Sequence, residues 1–203
     1  MNQNFNKLDK LMETGDGSIS RKDALANGVP PATFTRYVCL NQLVKIRRGV
    51  YAKTDGAVDD LYQFQRRCPK IVYSGITALY LLGLTDRIPD LMEFTVVKGY
   101  RVRKESAGSQ AICHIENNAE LFDMGNVNSK TIFGNIVTCF SKEKMVVEMI
   151  RKRDEYDSEL FLKTLKTFLK GTDKQMNFLF EYARMRKIEE KVYRILEAMD
   201  YGN

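Results

Sequence analysis

Apolar residues recur at helical spacing in the first stretch of the chain. Phe5, Leu8, Leu11 and Met12 predict one buried helical face over residues 1–14, ended by Gly15-Asp16-Gly17. Ser20-Arg21-Lys22-Asp23 reads as a capping box, in which the Ser20 hydroxyl accepts the Asp23 amide and Asp23 reaches back. It opens a short second helix through Ala24 and Leu25, closed at Asn27-Gly28, where glycine supplies the left-handed residue. Pro31 suits the first turn of a third helix, whose buried side is Phe34, Tyr37 and Val38. Ala32, Thr35, Arg36 and Cys39 fall on its other side, and Asn41 ends it. Two β-prone runs, Leu43–Arg47 and Val50–Lys53, hinge at Arg48-Gly49 and predict a tight hairpin. Three helices and a basic hairpin in this order predict a winged helix-turn-helix.

Thr54-Asp55-Gly56-Ala57 is polar and without period, which places a domain boundary there: 1–56 and 57–203. Beyond it, Asp59–Arg67 reads as a helix and Ile71–Tyr73 as a strand. Ser74 caps a helix over Gly75–Leu82 that stops at Gly83. Phe94–Val97, Ala111–Ile115 and Lys130–Phe140 read as strands, the last folded at Gly134-Asn135. Ser141 caps a helix whose apolar face is Met145, Val146, Met149 and Ile150. The tail is helical: Leu160–Leu169 breaks at Lys170-Gly171, and Asp173–Met199 predicts one long amphipathic helix. The fold class expected is therefore α+β, a winged helix followed by a larger domain with a small sheet and a helical C-terminal tail.

Composition narrows the class. Of 203 residues, 44% are apolar and 29% charged, a globular balance far from disorder. No stretch nears the ~20 apolar residues a bilayer requires, and the first residues lack the apolar run of a signal peptide. Cys39, Cys68, Cys113 and Cys139 are scattered without a CxxC pair, so they read as reduced thiols in a cytoplasmic protein. The single histidine, His114, argues against a multi-histidine metal site. Charge adds a partner: residues 1–56 hold nine Lys/Arg against five Asp/Glu, 9 − 5 = +4. The remaining 147 residues hold 23 basic and 21 acidic groups, +2, so the polyanion is expected at the first domain.

A helix in the major groove offers its exposed N-terminal residues to base edges, here Thr33, Thr35 and Arg36, with Ala32 close by. Arg bridges guanine O6 and N7, and Thr bonds bases or meets a thymine methyl. Ser20, Arg21 and Lys22 open the preceding helix and are placed for phosphate, where free amides add to the charge. Lys45, Arg47, Arg48 and Lys53 put the wing against the backbone or into a minor groove.

The run Ser20-Arg21-Lys22-Asp23-Ala24, Gly28-Val29 and Leu43–Tyr51 resembles the N-terminal winged helix of the AbiEi antitoxins, with Arg48-Gly49-Val50-Tyr51 matching the wing. These belong to the AbiE abortive-infection toxin–antitoxin systems of bacteria and archaea. The resemblance continues through Tyr73–Leu84 and returns at Val137–Lys144. There the family often has a Ser-Pro-Glu-Arg-Thr-like run, and Lys142 and Lys144 replace the Pro and the Arg. It implies a repressor that binds inverted repeats in its own promoter as double-stranded DNA. It also implies a C-terminal domain that counteracts a co-encoded nucleotidyltransferase-like toxin without a stable complex, with no cofactor, no metal and no membrane.

Enzyme readings fare worse. Gly125–Thr131 is one residue short of a P-loop and has Ser129 where the second glycine must stand. Cys113 and His114 are adjacent, so in a strand they point to opposite faces and form no nucleophile–base pair. Pro89-Asp90 lacks the acid-x-Lys strand of a restriction-type nuclease, and Glu189-Glu190-Lys191 lies in the helical tail. The expectation is a non-enzyme. The alternative is a winged-helix regulator whose C-terminal domain is a protein-interaction module, docking through the long last helix.

Overall fold

A computed structural model describes residues 3–15, 17–41, 43–53, 58–102 and 111–200. It is mixed α+β, and the chain folds into two compact units, residues 1–63 and 64–203. The expected boundary at 54–57 lies outside the described residues. The division falls later, inside a helix, because the helix after the polar stretch runs unbroken from Asp60 to Arg67.

In the first unit, α1 (Gln3–Thr14) buries Leu8 and Met12. β1 (Ser18–Ser20) leads directly into α2 (Arg21–Ala26), α3 spans Pro31–Leu40, and β2 (Val44–Arg47) and β3 (Val50–Ala52) form the hairpin. Hairpin and helices stand where the periodicity put them. β1 was not expected: it pairs antiparallel with β3 through Ser18↔Ala52 and Ser20↔Val50, giving a three-stranded sheet of order β1-β3-β2. Leu8, Met12, Ile19, Ala24, Val29, Phe34, Tyr37 and Leu43 make its core. Each such large side chain contributes ~1.5–3 kcal/mol on burial. Tyr37 keeps its hydroxyl satisfied by donating to Asp9 Oδ1 at 2.6 Å while its ring meets Phe5 edge-on at 5.2 Å. Burial and that carboxylate raise the phenol's pKa well above the tyrosine range.

The turn between α2 and α3 is closed by backbone geometry. The Val29 amide donates to the Ala24 carbonyl and the Gly28 amide to that of Leu25, both at 3.0 Å. This is the paired 6→1 and 5→2 pattern of a Schellman end, and it needs a left-handed residue between: Gly28, at φ +75°. Val29 and Ala24 are both buried, which locks the two helices at this corner.

Across the division, α4 (Asp60–Arg67) leads to β4 (Val72–Tyr73) and α5 (Gly75–Leu81), then β5 (Met92–Val97) and β6 (Ala111–Glu116). α6 (Ala119–Asp123), β7 (Asn126–Lys130) and β8 (Ile136–Phe140) follow, then α7 (Lys142–Arg151), a 3₁₀ turn at Arg153–Glu155, and α8 (Ser158–Lys170), α9 (Met176–Met185) and α10 (Glu189–Asp200). The sheet runs β6-β5-β4-β8-β7, with β4–β8 and β5–β6 parallel and β4–β5 and β7–β8 antiparallel. α7 is the centre of the unit: Glu143 through Ile150 are all buried, and α5, α8, α9 and α10 pack around it.

Three expectations are corrected here. The long terminal helix is two helices, broken at Arg186–Ile188 with Lys187 left-handed at φ 60°. The Ile188 amide donates to Ala183 and that of Lys187 to Arg184, another Schellman end. No glycine or proline marks the break in sequence. Nor is the apolar face a free docking surface, because Leu179, Tyr182, Ala183, Val192 and Leu196 are buried in the core. Residues 126–130 of the P-loop-like run form a strand paired with β8, not a phosphate-wrapping loop. Ser74 does not cap α5 with its side chain; it is hydrogen-bonded to Thr95 Oγ1 at 2.8 Å.

No helix among the described residues is long and apolar enough to cross a membrane, and all four cysteines are free thiols.

Candidate nucleic-acid interface

Ser20 builds the start of α2. Its Oγ accepts the Asp23 amide at 2.9 Å, as the sequence predicts. The Arg21 amide donates to the Gly49 carbonyl at 2.7 Å, joining the helix start to the hairpin turn. Of the amides expected to face a phosphate, that of Arg21 is therefore engaged within the protein. The side chains of Arg21 and Lys22 remain exposed.

α3 turns Phe34 and Tyr37 inward and leaves Ala32, Thr35 and Arg36 exposed. Thr35 Oγ1 donates to the Pro31 carbonyl at 3.0 Å, which fixes its rotamer and leaves its methyl and lone pairs outward. Thr33 is half-buried rather than exposed, so the outward group at this end is Thr35 and Arg36. The hairpin turns at Arg48-Gly49, with Gly49 at φ +77° and a bulge between Lys45 and Arg47 that twists the strand. Lys45, Arg48 and Lys53 are exposed, while the side chain of Arg47 lies outside the described residues. Arg21, Lys22, Arg36, Lys45, Arg48 and Lys53 have no ion-pair partner among the described residues. The unit thus carries unneutralised cations on α2, α3 and the hairpin, two of these elements tied together by a backbone hydrogen bond.

Sequence reasoning missed a buried polar network in the second unit. Glu148, on α7, accepts from the Tyr182 hydroxyl at 2.7 Å through one oxygen, which is also ion-paired with Arg186 Nε at 2.6 Å, while that Nε donates to the Tyr182 hydroxyl oxygen at 3.0 Å. The other Glu148 oxygen takes Arg151 Nε and Nη2 at 2.9 and 2.7 Å. Arg186 continues to Glu116, whose other oxygen accepts the Asn118 amide at 3.0 Å. Burial alone would raise the Glu116 pKa, but Arg186 and the Asn118 and Asn117 amides outweigh it and hold the carboxyl below its ordinary value. Burial and Glu148 together push the Tyr182 phenol far up.

Glu93 on β5 makes a second centre. Its carboxylate meets His114 Nε2 and the Ile76 amide, each at 3.2 Å. Both lie beside a cavity of about 130 Å³ lined by Ser74, Thr95, His114, Tyr156, Arg151 and Arg186. Its acidic groups are already saturated by internal donors, so it is a braced polar pocket. Among the described residues, no three His, Cys, Asp or Glu side chains come together as a metal site.

Lys144 occupies the position where the resemblance places an arginine. It is fully buried, and its Nζ donates to the carbonyls of Leu121, Phe122 and Met124 at 2.7, 2.9 and 2.8 Å. The ammonium lies 3.5 Å from the centre of the Phe140 ring. It satisfies the last carbonyls of α6, which the short helix cannot satisfy itself. Burial pulls its pKa down to about 7, with Arg186 adding to the shift and Glu148, Glu116 and Asp123 opposing it.

No protein-family model and no curated protein matches the chain. The crystal structure of the Rv2827c protein from Mycobacterium tuberculosis is similar in fold, with a TM-score of 0.61 at 13% identity, over 98% of this chain and 78% of that one.

Proposed function

We propose that the first unit is a winged helix that binds duplex DNA, and that the chain is a cytoplasmic antitoxin and autorepressor of the AbiE kind. The observation that carries the DNA reading is the outward face of α3. Thr35 and Arg36 are exposed on α3, Arg21 and Lys22 are exposed and unpaired on α2, and the α2 start is bonded to the turn that bears Arg48. The order α1-β1-α2-α3-β2-β3 supports the same reading, since a helix-turn-helix followed by an antiparallel hairpin is how such modules present one helix to a groove and a ribbon to the backbone. In this reading Arg36 and Thr35 meet base edges, and Arg21, Lys22, Lys45, Arg48 and Lys53 meet phosphates. Ser20 positions α2 through its cap, and Thr33 supports α3 from a half-buried site. The second job, relief of a co-encoded nucleotidyltransferase toxin by the C-terminal unit without a stable complex, rests on the AbiEi resemblance. No metal, cofactor or catalytic step belongs to it.

The test is binding of the purified chain to duplex DNA from upstream of its own reading frame, titrated at several salt concentrations, with a promoter reporter in cells. Specific, salt-dependent binding and repression are expected. Binding no tighter to that DNA than to unrelated duplex, with no repression, removes the repressor reading.

A further inference from the structure

The first unit does not hold all the unneutralised charge. In the second unit, exposed Arg87, Lys163, Arg184 and Arg194 and half-exposed Lys142 each have a carboxylate partner. Lys70, Lys98 and Arg101 are exposed and have no ion pair among the described residues, as is also true of Lys130, Lys166, Lys170, Lys187 and Lys191, but these three lie near one aromatic ring. One of them lies over the ring of Tyr100 and the other two are close to it in sequence: Lys70 Nζ is 5.9 Å from the ring centre, and Lys98 and Arg101 flank Tyr100 in the chain. A tight turn holds the group: the Tyr100 amide donates to the Val97 carbonyl at 3.1 Å, with Gly99 at φ +94° in the position that requires a left-handed residue. The Lys98 amide donates to the Glu116 carbonyl at 2.7 Å, so the turn is pinned to the end of β6. Burial raises the Tyr100 phenol, with a further push from Cys68.

We propose that this turn is a contact site for single-stranded nucleic acid, with Lys70, Lys98 and Arg101 meeting phosphates and Tyr100 offering its ring to an unstacked base. Shape as well as charge favours a single strand. Reading a duplex groove requires a helix or a two-stranded ribbon, and here the cations sit on a turn and on the loop after α4. A half-buried ring near cations instead suits a strand whose bases are free to stack on its accessible part. An acidic protein surface would use the charges but gain nothing from the ring. The site is made of residues of the second unit and does not depend on the function proposed for the first.

The experiment uses the full chain carrying Arg21→Ala, Lys22→Ala, Arg48→Ala and Lys53→Ala, which removes four of the first unit's exposed cations. Its probes are a fluorescein-labelled oligouridine and a duplex of equal length, followed by anisotropy from low to moderate salt. Oligouridine binding should persist in this background. Adding Lys70→Ala, Lys98→Ala and Arg101→Ala should then lower the salt slope by ~2, at roughly 0.7 per contact on a single strand. Tyr100→Ala, with all three cations kept, should weaken oligouridine roughly 5- to 150-fold, the range of one base–aromatic stack, while Tyr100→Phe should not. Thermal melts by circular dichroism confirm that each variant is folded. An unchanged slope in the triple variant overturns the site. Duplex bound as tightly as oligouridine, with Tyr100→Ala silent, overturns the single-strand assignment. Loss of operator binding in the background variant bears only on the first unit, so the two readings fail separately.

Discussion

The Arg21 amide donates to the Gly49 carbonyl at 2.7 Å, so the start of the second helix and the turn of the hairpin move as one piece. This bond depends on the left-handed backbone at Gly49, φ +77°, and a Cβ there would meet nothing within 4 Å. Gly49→Ala should therefore cost only the left-handed penalty, ~1–2 kcal/mol, without a clash. Gly75 presents the opposite case. At φ +56°, its added Cβ would fall 1.9 Å from Glu93 Oε2. Gly75→Ala should be clearly the more destabilising, because it must also displace the carboxylate that holds His114 and the Ile76 amide. Urea midpoints for the two variants decide; equal losses would mean that Glu93 yields freely.

Lys187 tests the same chemistry with the sign reversed. It is a non-glycine residue at φ 60° and closes α9 by a Schellman end. Lys187→Gly should stabilise by ~0.5–1 kcal/mol, since glycine carries no Cβ penalty there and loses somewhat more entropy on folding. A lower urea midpoint in the variant would show that the lysine side chain contributes more than its backbone costs.

That position also explains where the sequence could be read and where it could not. The helices of the first unit announce themselves through Ser20, Pro31 and Gly28, and the hairpin through Gly49, because caps and turns are local chemistry. β1 is three residues, Ser18-Ile19-Ser20, too short for alternation to register, and it forms only because β3 offers it an edge. Lys187 hid a helix break that glycine would have revealed. β7 reads Asn-Val-Asn-Ser-Lys, polar enough to pass for a loop, and becomes a strand by pairing with β8. The face of α3 was legible from its period of 3.6. The Glu116–Arg186–Glu148 network was not, since it joins β6, α7 and α9 across wide gaps in sequence and no spacing encodes that meeting.

Lys144 gives a pH dependence with a definite sign. Its folded pKa, about 7, is below the ordinary 10.5, so between those values the unfolded chain binds the extra proton. Stability on this account rises with pH through that window. Above pH 10 the trend reverses, because Tyr37, Tyr156 and Tyr182 stay protonated when folded and ionise when unfolded. Lys144→Met should remove the rise between pH 7 and 9.5. It should also lower stability at every pH, because it leaves three carbonyls without a donor, at ~1–3 kcal/mol for each buried group left unpaired. Urea titrations of both proteins across this range are the measurement, and parallel curves would show that the amine does not titrate there.

The division of labour between the units can be tested in cells. Thr35 and Arg36 lie on the exposed side of α3, opposite Phe34 and Tyr37, so replacing both with Ala removes groups that the core does not use. On operator DNA, Arg36→Ala should cost ~1–3 kcal/mol if it makes a bidentate base contact, with little change on unrelated duplex. Arg48→Ala and Lys53→Ala should instead weaken both duplexes alike and lower the salt slope by ~0.9 each. These signatures separate reading from holding within one unit. The second unit lacks the α3 face and, under the antitoxin proposal, acts without a groove-reading helix. The Thr35→Ala, Arg36→Ala protein, expressed from an unrelated promoter, should therefore fail to repress yet still rescue cells from the toxin encoded beside it. If rescue is lost while immunoblots show normal abundance and circular dichroism shows a folded chain, neutralisation requires operator binding. The two functions are then one.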